Sequence, residues 1–80
     1  MGKQYLVHTA LGIWLGRVVE ETLDELTLDT CSWIPDQGRM STCVATGEVT
    51  EVEYVGNGVI VPRIGSIRVP YPHPLPTQSK

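Results

Sequence analysis

Residues 12–33, GIWLGRVVEETLDELTLDTCSW, decide the fold. Gly12 and Gly16 bracket the bulky triplet Ile13-Trp14-Leu15, a strand-like run continues to Glu20, and the turn TLDE leads into a second run, LTLDT. In the first run Ile13, Leu15, Arg17 and Val19 point one way and Trp14, Gly16, Val18 and Glu20 the other, the two-residue period of a strand. In the second run Leu26 and Leu28 point inward. Glycine in mid-strand weakens the strand unless the chain bends there or another backbone comes close. Gly16 therefore marks a bend, and a sharply bent second strand is how a five-stranded sheet closes into a small barrel.

The rest of the chain extends this pattern. Gln4 to Thr9 is rich in strand formers, and Leu11-Gly12 makes a tight turn into the bent strand. Ser32 to Gly38, SWIPDQG, has the composition of a loop, because Pro35 lacks an amide donor and Asp36 and Gly38 suit turn geometry. RMSTCVAT fits a short helix or a short strand. EVTEVEYV is a strand whose phase slips between Val49 and Val52, as a bulge would cause. GNG is a hairpin turn, since Asn57 and its flanking glycines tolerate positive φ. VIVPRIGSIRV is strand interrupted by Pro62 and Gly65, so part of it forms an edge or a bend. PYPHPLPTQSK, with four prolines from Pro70 to Pro76, is polyproline-like and cannot join a central strand. The expected organisation is an all-β, five- to six-stranded SH3/Sm-like barrel over residues 1–69 with a proline-rich tail over 70–80.

Eighty residues make one domain. A chain this short buries a modest share of its surface, and assembly with copies of itself is a common way to gain more. No apolar run approaches the ~18 residues of a membrane span, and no charged-then-apolar leader follows Met1, so a soluble cytoplasmic protein is expected. Without a leader, Cys31 and Cys43 are expected as reduced, buried thiols, and neither belongs to a C-x-x-C pair of the kind zinc sites use. The net charge is −3, the six basic residues are scattered, and Glu20, Glu21, Asp24 and Glu25 gather at one turn. That balance disfavours bulk nucleic acid, which is gripped through phosphates by a basic face, but leaves room for a local pocket holding a small anion.

Chemistry-bearing motifs are few. His8 lies on a strand and His73 in the tail, with no nucleophile elbow and no phosphate-binding G-x-x-x-x-G-K. A thiol–imidazole pair of Cys31 or Cys43 with His8 has no support from spacing. The acidic turn lacks the glycine-punctuated ligand order of a calcium loop and is a solvated turn. No catalytic residue, metal or cofactor is expected. The two tryptophans, in a chain with no phenylalanine, are more informative. Trp14 and Trp33 serve either core packing or a stacking platform for a base or another planar ligand, and Trp33, placed beside a loop, is the better platform. Arg17, Arg39, Arg63 and Arg68 outnumber the lysines, which stand only at Lys3 and Lys80. The planar guanidinium suits bidentate contacts to phosphate or carboxylate, against the plainer alternative of surface solvation. The candidate ligand-binding set is Trp33, Arg39, Trp14, Arg17 and Arg63.

Two resemblances follow from these stretches. The glycine-bracketed hairpin with Gly12 and Gly16, and the later YVGNGVIV with Gly56, Asn57 and Val59, resemble the Sm-like barrel over roughly residues 5 to 61. Val55 stands where that family has an arginine, DELTLDT lacks the family's asparagine, and the N-terminal helix is absent. The resemblance implies the small barrel and ring-forming habit, not uridine recognition. Across most of the chain, YLVHTALGIWLG, LTLDTCSW, RMSTCVATG and VIVPRIGSIRVP are similar to a family of short phage-encoded proteins, with His8 at a position that is basic in that family. This likeness implies a phage origin. The expected function is a non-catalytic homo-oligomeric binding protein, similar in construction to anti-defence sponges that sequester a cyclic-nucleotide immune signal between protomers. The alternatives are a virion or assembly component and a degenerate Sm-like RNA binder.

Overall fold

The structure, a computed structural model, describes residues 2–10, 12–36 and 39–79. Strands β1 (Gln4–Thr9), β2 (Gly12–Glu21) and β3 (Glu25–Asp36) are followed by helix α1 (Met40–Thr46), then β4 (Glu51–Gly56), β5 (Val59–Pro62) and β6 (Ile67–Pro70). All pairs are antiparallel, in the order β4-β3-β2-β1-β6, with β5 sharing β3 with β4. β5 and β6 thus sit at opposite ends of the sheet, four strand spacings apart, which is roughly 19 Å if the sheet were flat. The chain joins them through a turn closed by the Ser66 N–H to Arg63 carbonyl bond of 3.3 Å. Such a turn spans under about 7 Å, so the sheet must curl until its ends meet. The result is the expected small all-β barrel.

The 12-residue β3 is the frame on which the curl is built. Its first half pairs with β5, from Glu25↔Pro62 to Leu28↔Val59, and its second half with β4, from Cys31↔Gly56 to Asp36↔Glu51. β4 and β5 therefore run on in one direction along a single neighbour, and Gly56-Asn57-Gly58 is a break between them, not the hairpin turn read from the sequence. The turn chemistry was sound in one respect: Gly56 and Gly58 do take positive φ, 124° and 74°. What redirects the chain is a matching defect on the facing strand, where Thr30 has φ 49°. The two defects satisfy each other. Asn57 Oδ1 accepts the Thr30 N–H at 2.8 Å, and Asp29 Oδ1 accepts the Gly58 N–H at 3.0 Å.

Other boundaries also move. Ser32–Asp36 is the end of β3 rather than a loop, because a register shift between Trp33 and Asp36 leaves Pro35 out of the regular ladder that its missing N–H could not serve. Gln37 and Gly38, the rest of that segment, lie outside the described residues. So do Lys80 and the Leu11 half of the first turn, beside which Thr9 pairs with Gly12. RMSTCVAT resolves as helix α1, ended by Gly47, whose N–H bonds the Cys43 carbonyl at 2.8 Å. The slip between Val49 and Val52 marks the entry to β4, with both valines in one core cluster, while the irregularity within the strand falls at Val55.

β1 is buried on both faces, with Leu6 and Val7 each wholly covered. On one face Val7, Leu26, Leu28, Cys31 and Val61 fill the barrel, with Tyr5, Trp14, Val18 and Val59 around them. On the other, Leu6, Leu15, Ile34, Val49 and Val52 pack with Cys43 of α1 and with Tyr71, joined by Ile13, Val69 and Leu75. The segment after β6 is thus seated on the barrel. Tyr71 donates its hydroxyl to the Gly47 carbonyl at 2.6 Å, and Gln4 Nε2 reaches the Tyr71 and His73 carbonyls at 3.0 and 2.6 Å. Ser79 Oγ accepts the Tyr54 N–H at 3.1 Å. No helix among the described residues is long and apolar enough to cross a membrane.

Gly16 stands at the inside of the bend. A Cβ there would lie 3.2 Å from the Asp29 carbonyl oxygen, 3.2 Å from Leu28 Cβ and 3.3 Å from Cys31 Cα, two of the three being backbone atoms that yield little. Gly16→Val should therefore lower the unfolding free energy by about 1–3 kcal/mol through overpacking, although valine is the better strand former. Urea unfolding followed by circular dichroism measures this; an unchanged or raised midpoint would mean that β2 is not folded tightly against β3 at Gly16.

Candidate ligand-binding surface

One row of residues facing one another across the sheet runs Arg68–Val7–Trp14–Trp33–Glu53, from β6 to β4. Directly paired residues on neighbouring strands project to the same side, so Trp14 and Trp33 stand side by side. Trp14 packs on the barrel core, whereas Trp33 keeps 37% of its surface exposed. Core packing and display are thus divided between the two indoles. Their N–H edges converge over Gly12. A Cβ on Gly12 would come within 2.9 Å of Trp33 Nε1 and 4.0 Å of Trp14 Nε1, and its φ of 144° is one that other residues rarely adopt. Neither indole N–H is hydrogen-bonded among the described residues. The sequence marks Gly12 only as a turn residue; the signal for its second role is its two-residue offset from Trp14, which places both on one face of β2.

The arginines divide as well. Arg17 donates from Nη2 to Gln4 Oε1 at 3.2 Å. Arg63 bonds Glu21 through Nε at 2.5 Å and the Leu23 carbonyl through Nη1 at 3.2 Å, which places it beside the β2–β3 hairpin, at the far end of β2 from Trp14. Arg68 reaches the same Glu21 carboxylate with two bonds of 3.1 Å and lies over the Tyr5 ring, 5.3 Å from its centre. The Arg68 and Arg63 guanidiniums together hold the Glu21 carboxyl below the usual carboxylate range. These contacts span 42 and 47 residues of sequence. Arg39 differs: exposed at the N-terminal boundary of α1, it carries no side-chain bond among the described residues, while its carbonyl accepts the Cys43 N–H at 2.9 Å. The structure therefore joins Trp14 and Trp33, and sets Arg17 and Arg63 in contacts of their own.

Elsewhere the surface offers shallow features. A groove of about 530 Å³ runs between the N-terminal residues and the C-terminal segment, lined by Lys3, Gln4, Pro70, Tyr71, His73 and Pro74 among others, and does not touch the tryptophans. No group of three or more His, Cys, Asp or Glu side chains could hold a metal ion among the described residues. Cys31 lies inside the barrel and Cys43 beneath α1, unbonded to each other. Burial pushes the Cys31 thiol up to about 12 and raises Cys43 also. Both are protonated at neutral pH, so neither presents the thiolate that nucleophilic chemistry requires. Comparison of the chain with models of known families, with curated proteins and with solved structures finds no match in any of the three.

The thiols provide a direct check on this burial. In the native protein at pH 8, an aromatic disulfide reagent should release almost no thiolate chromophore, and two equivalents should appear once the chain is unfolded in guanidinium. Rapid reaction of either cysteine before unfolding would contradict the burial and the raised thiol pKa.

Proposed function

We propose that this is a non-catalytic binding protein that takes up a small nucleotide through the Trp14–Trp33 pair, and that it acts as a phage-encoded, homo-oligomeric sponge for such a signal. The observation that carries the reading is the convergence over Gly12 of two indole N–H donors, unpaired among the described residues, beside the exposed surface of Trp33. A nucleotide matches both features: its base offers a face to stack on, worth ~1–3 kcal/mol, and its phosphate or carbonyl oxygens accept N–H bonds. Arg39, with its guanidinium uncommitted, is the cation assigned to the phosphates, and charge-assisted bonds from arginine are the strong kind. The oligomer draws support from β6: among the described residues it pairs only with β1, so the curled ends of the sheet are joined by the β5–β6 turn and not by a ladder, which leaves an edge that another chain can pair with. The phage origin rests on the sequence likeness described above.

A thermal-shift screen with cyclic dinucleotides and ADP-ribose derivatives tests the reading, because a ligand that binds only the native state raises its melting temperature. At least one compound should raise it in a concentration-dependent way. Trp33→Ala should then weaken that compound about tenfold or more, at 1.4 kcal/mol per decade, and Arg39→Ala should weaken it while flattening its salt dependence. Light scattering should give a mass above the 8.8 kDa of one chain. A screen in which no nucleotide stabilises the protein, or a bound nucleotide indifferent to Trp33→Ala, would overturn the site; a monomer at micromolar concentration would overturn the sponge.

A further inference from the structure

At the opposite end of β2 from the tryptophans, the hairpin between β2 and β3 meets the turn between β5 and β6. Arg63 holds the two together: its N–H bonds the Asp24 carbonyl at 2.9 Å, its Nη1 the Leu23 carbonyl and its Nε the Glu21 carboxylate. This clamp holds the hairpin tip that carries Leu23 against the turn that carries Ile64, and the two residues keep 80% and 72% of their surfaces exposed. The adjoining outer face of the sheet carries the cross-strand row Glu20–Thr27–Ile60 and the pair Glu25–Pro62, and Ile60 is 58% exposed. Single exposed aliphatics are ordinary on a protein surface, but three held on one end of a small domain form a patch of the kind that marks an interaction site.

Around this patch four carboxylates, Glu20, Glu21, Asp24 and Glu25, outnumber the two guanidiniums of Arg63 and Arg68. Glu20, Asp24 and Glu25 are exposed and form no ion pair among the described residues, while Glu21 is already neutralised by Arg63 and Arg68. We infer that this end of the barrel is a docking face for a basic, apolar segment of another protein. The charge pattern selects that occupant. A second copy would set acids against acids, and Lys3 and Arg39 are the only lysine or arginine side chains without a partner among the described residues. An anionic lipid surface or a nucleic acid backbone would be repelled by the same three carboxylates. A segment with aliphatic side chains flanked by lysine or arginine covers Leu23, Ile60 and Ile64 and pairs the rim, the arrangement of apolar centre and charged border common at interfaces. The face is separate from the tryptophan pair, so this inference stands apart from the proposed function.

The probe is a labelled amphipathic peptide of leucine and lysine, titrated against the full chain and followed by fluorescence anisotropy. Saturable one-to-one binding is expected, weakening as salt rises. The double variant Leu23→Ser/Ile64→Ser, which leaves every charge in place, should weaken it about tenfold or more, and so should Glu20→Gln/Asp24→Asn/Glu25→Gln. These side chains are exposed, and unchanged circular dichroism melts confirm that both variants fold. Binding that ignores the aliphatic substitutions, or that falls only with the charges, would overturn the docking face in favour of non-specific attraction. A lower mass by light scattering for the aliphatic variant would overturn it in favour of a second copy.

Discussion

The fold depends on a crease that runs through β2 at Gly16, β3 at Thr30 and the break between β4 and β5 at Asn57. A β-branched residue at positive φ costs on the order of 1–3 kcal/mol, and Thr30 is such a residue. The reciprocal bonds from Thr30 to Asn57 and from Gly58 to Asp29 contribute about 1 kcal/mol each, which offsets the strain without clearly exceeding it. Burial decides the balance. The extra residue in β3 lets Leu26, Leu28 and Cys31 face the same interior although their spacing is not uniformly two, and all three are fully covered. Fully burying one leucine side chain is worth about 1.5–3 kcal/mol, so losing that common phase would cost more than the strained residue does.

The crease also determines what the surface displays. Beyond Thr30 the interior phase continues through Cys31 to Trp33, which emerges at the end of the barrel beside Trp14. At the other end the same curl brings the turn after β5 against the hairpin tip, where Arg63 and Arg68 share Glu21. One end is aromatic, with indole N–H donors unpaired among the described residues, and the other is aliphatic with an acidic border. A flat sheet of the same sequence would not bring the turn that carries Ile64 to the hairpin that carries Leu23.

Local periodicity made much of this legible. The strands at β1 and β2, the inward Leu26 and Leu28, the bend at Gly16 and the interruption at Pro62 all follow from two-residue alternation and from what glycine and proline do within it. Asn57 misleads because its flanking glycines adopt the backbone angles of a tight turn, yet whether they reverse the chain is settled by Thr30, 27 positions away. Pro35 misleads in the other direction, since a register shift in β3 removes the ladder position it could not fill. The tryptophans stand out by composition, whereas the loss of Arg17 and Arg63 to Gln4 and Glu21 is a matter of long-range pairing. Tyr71 was hidden among prolines that mark an extended segment but do not say where it lies; its place in the core comes from the bond to Gly47 and from packing with Leu6 and Leu15.

The central claim is that β4 and β5 follow one another along β3 instead of folding back on each other. Nuclear Overhauser spectra of the labelled protein test it most directly. Backbone contacts should connect Leu28 with Val59, Leu26 with Val61 and Trp33 with Glu53, as the register requires. Contacts pairing Val55 with Val59 or Ile60 across a closed hairpin, with none from Leu28 to Val59, would contradict the crease and the two surfaces derived from it.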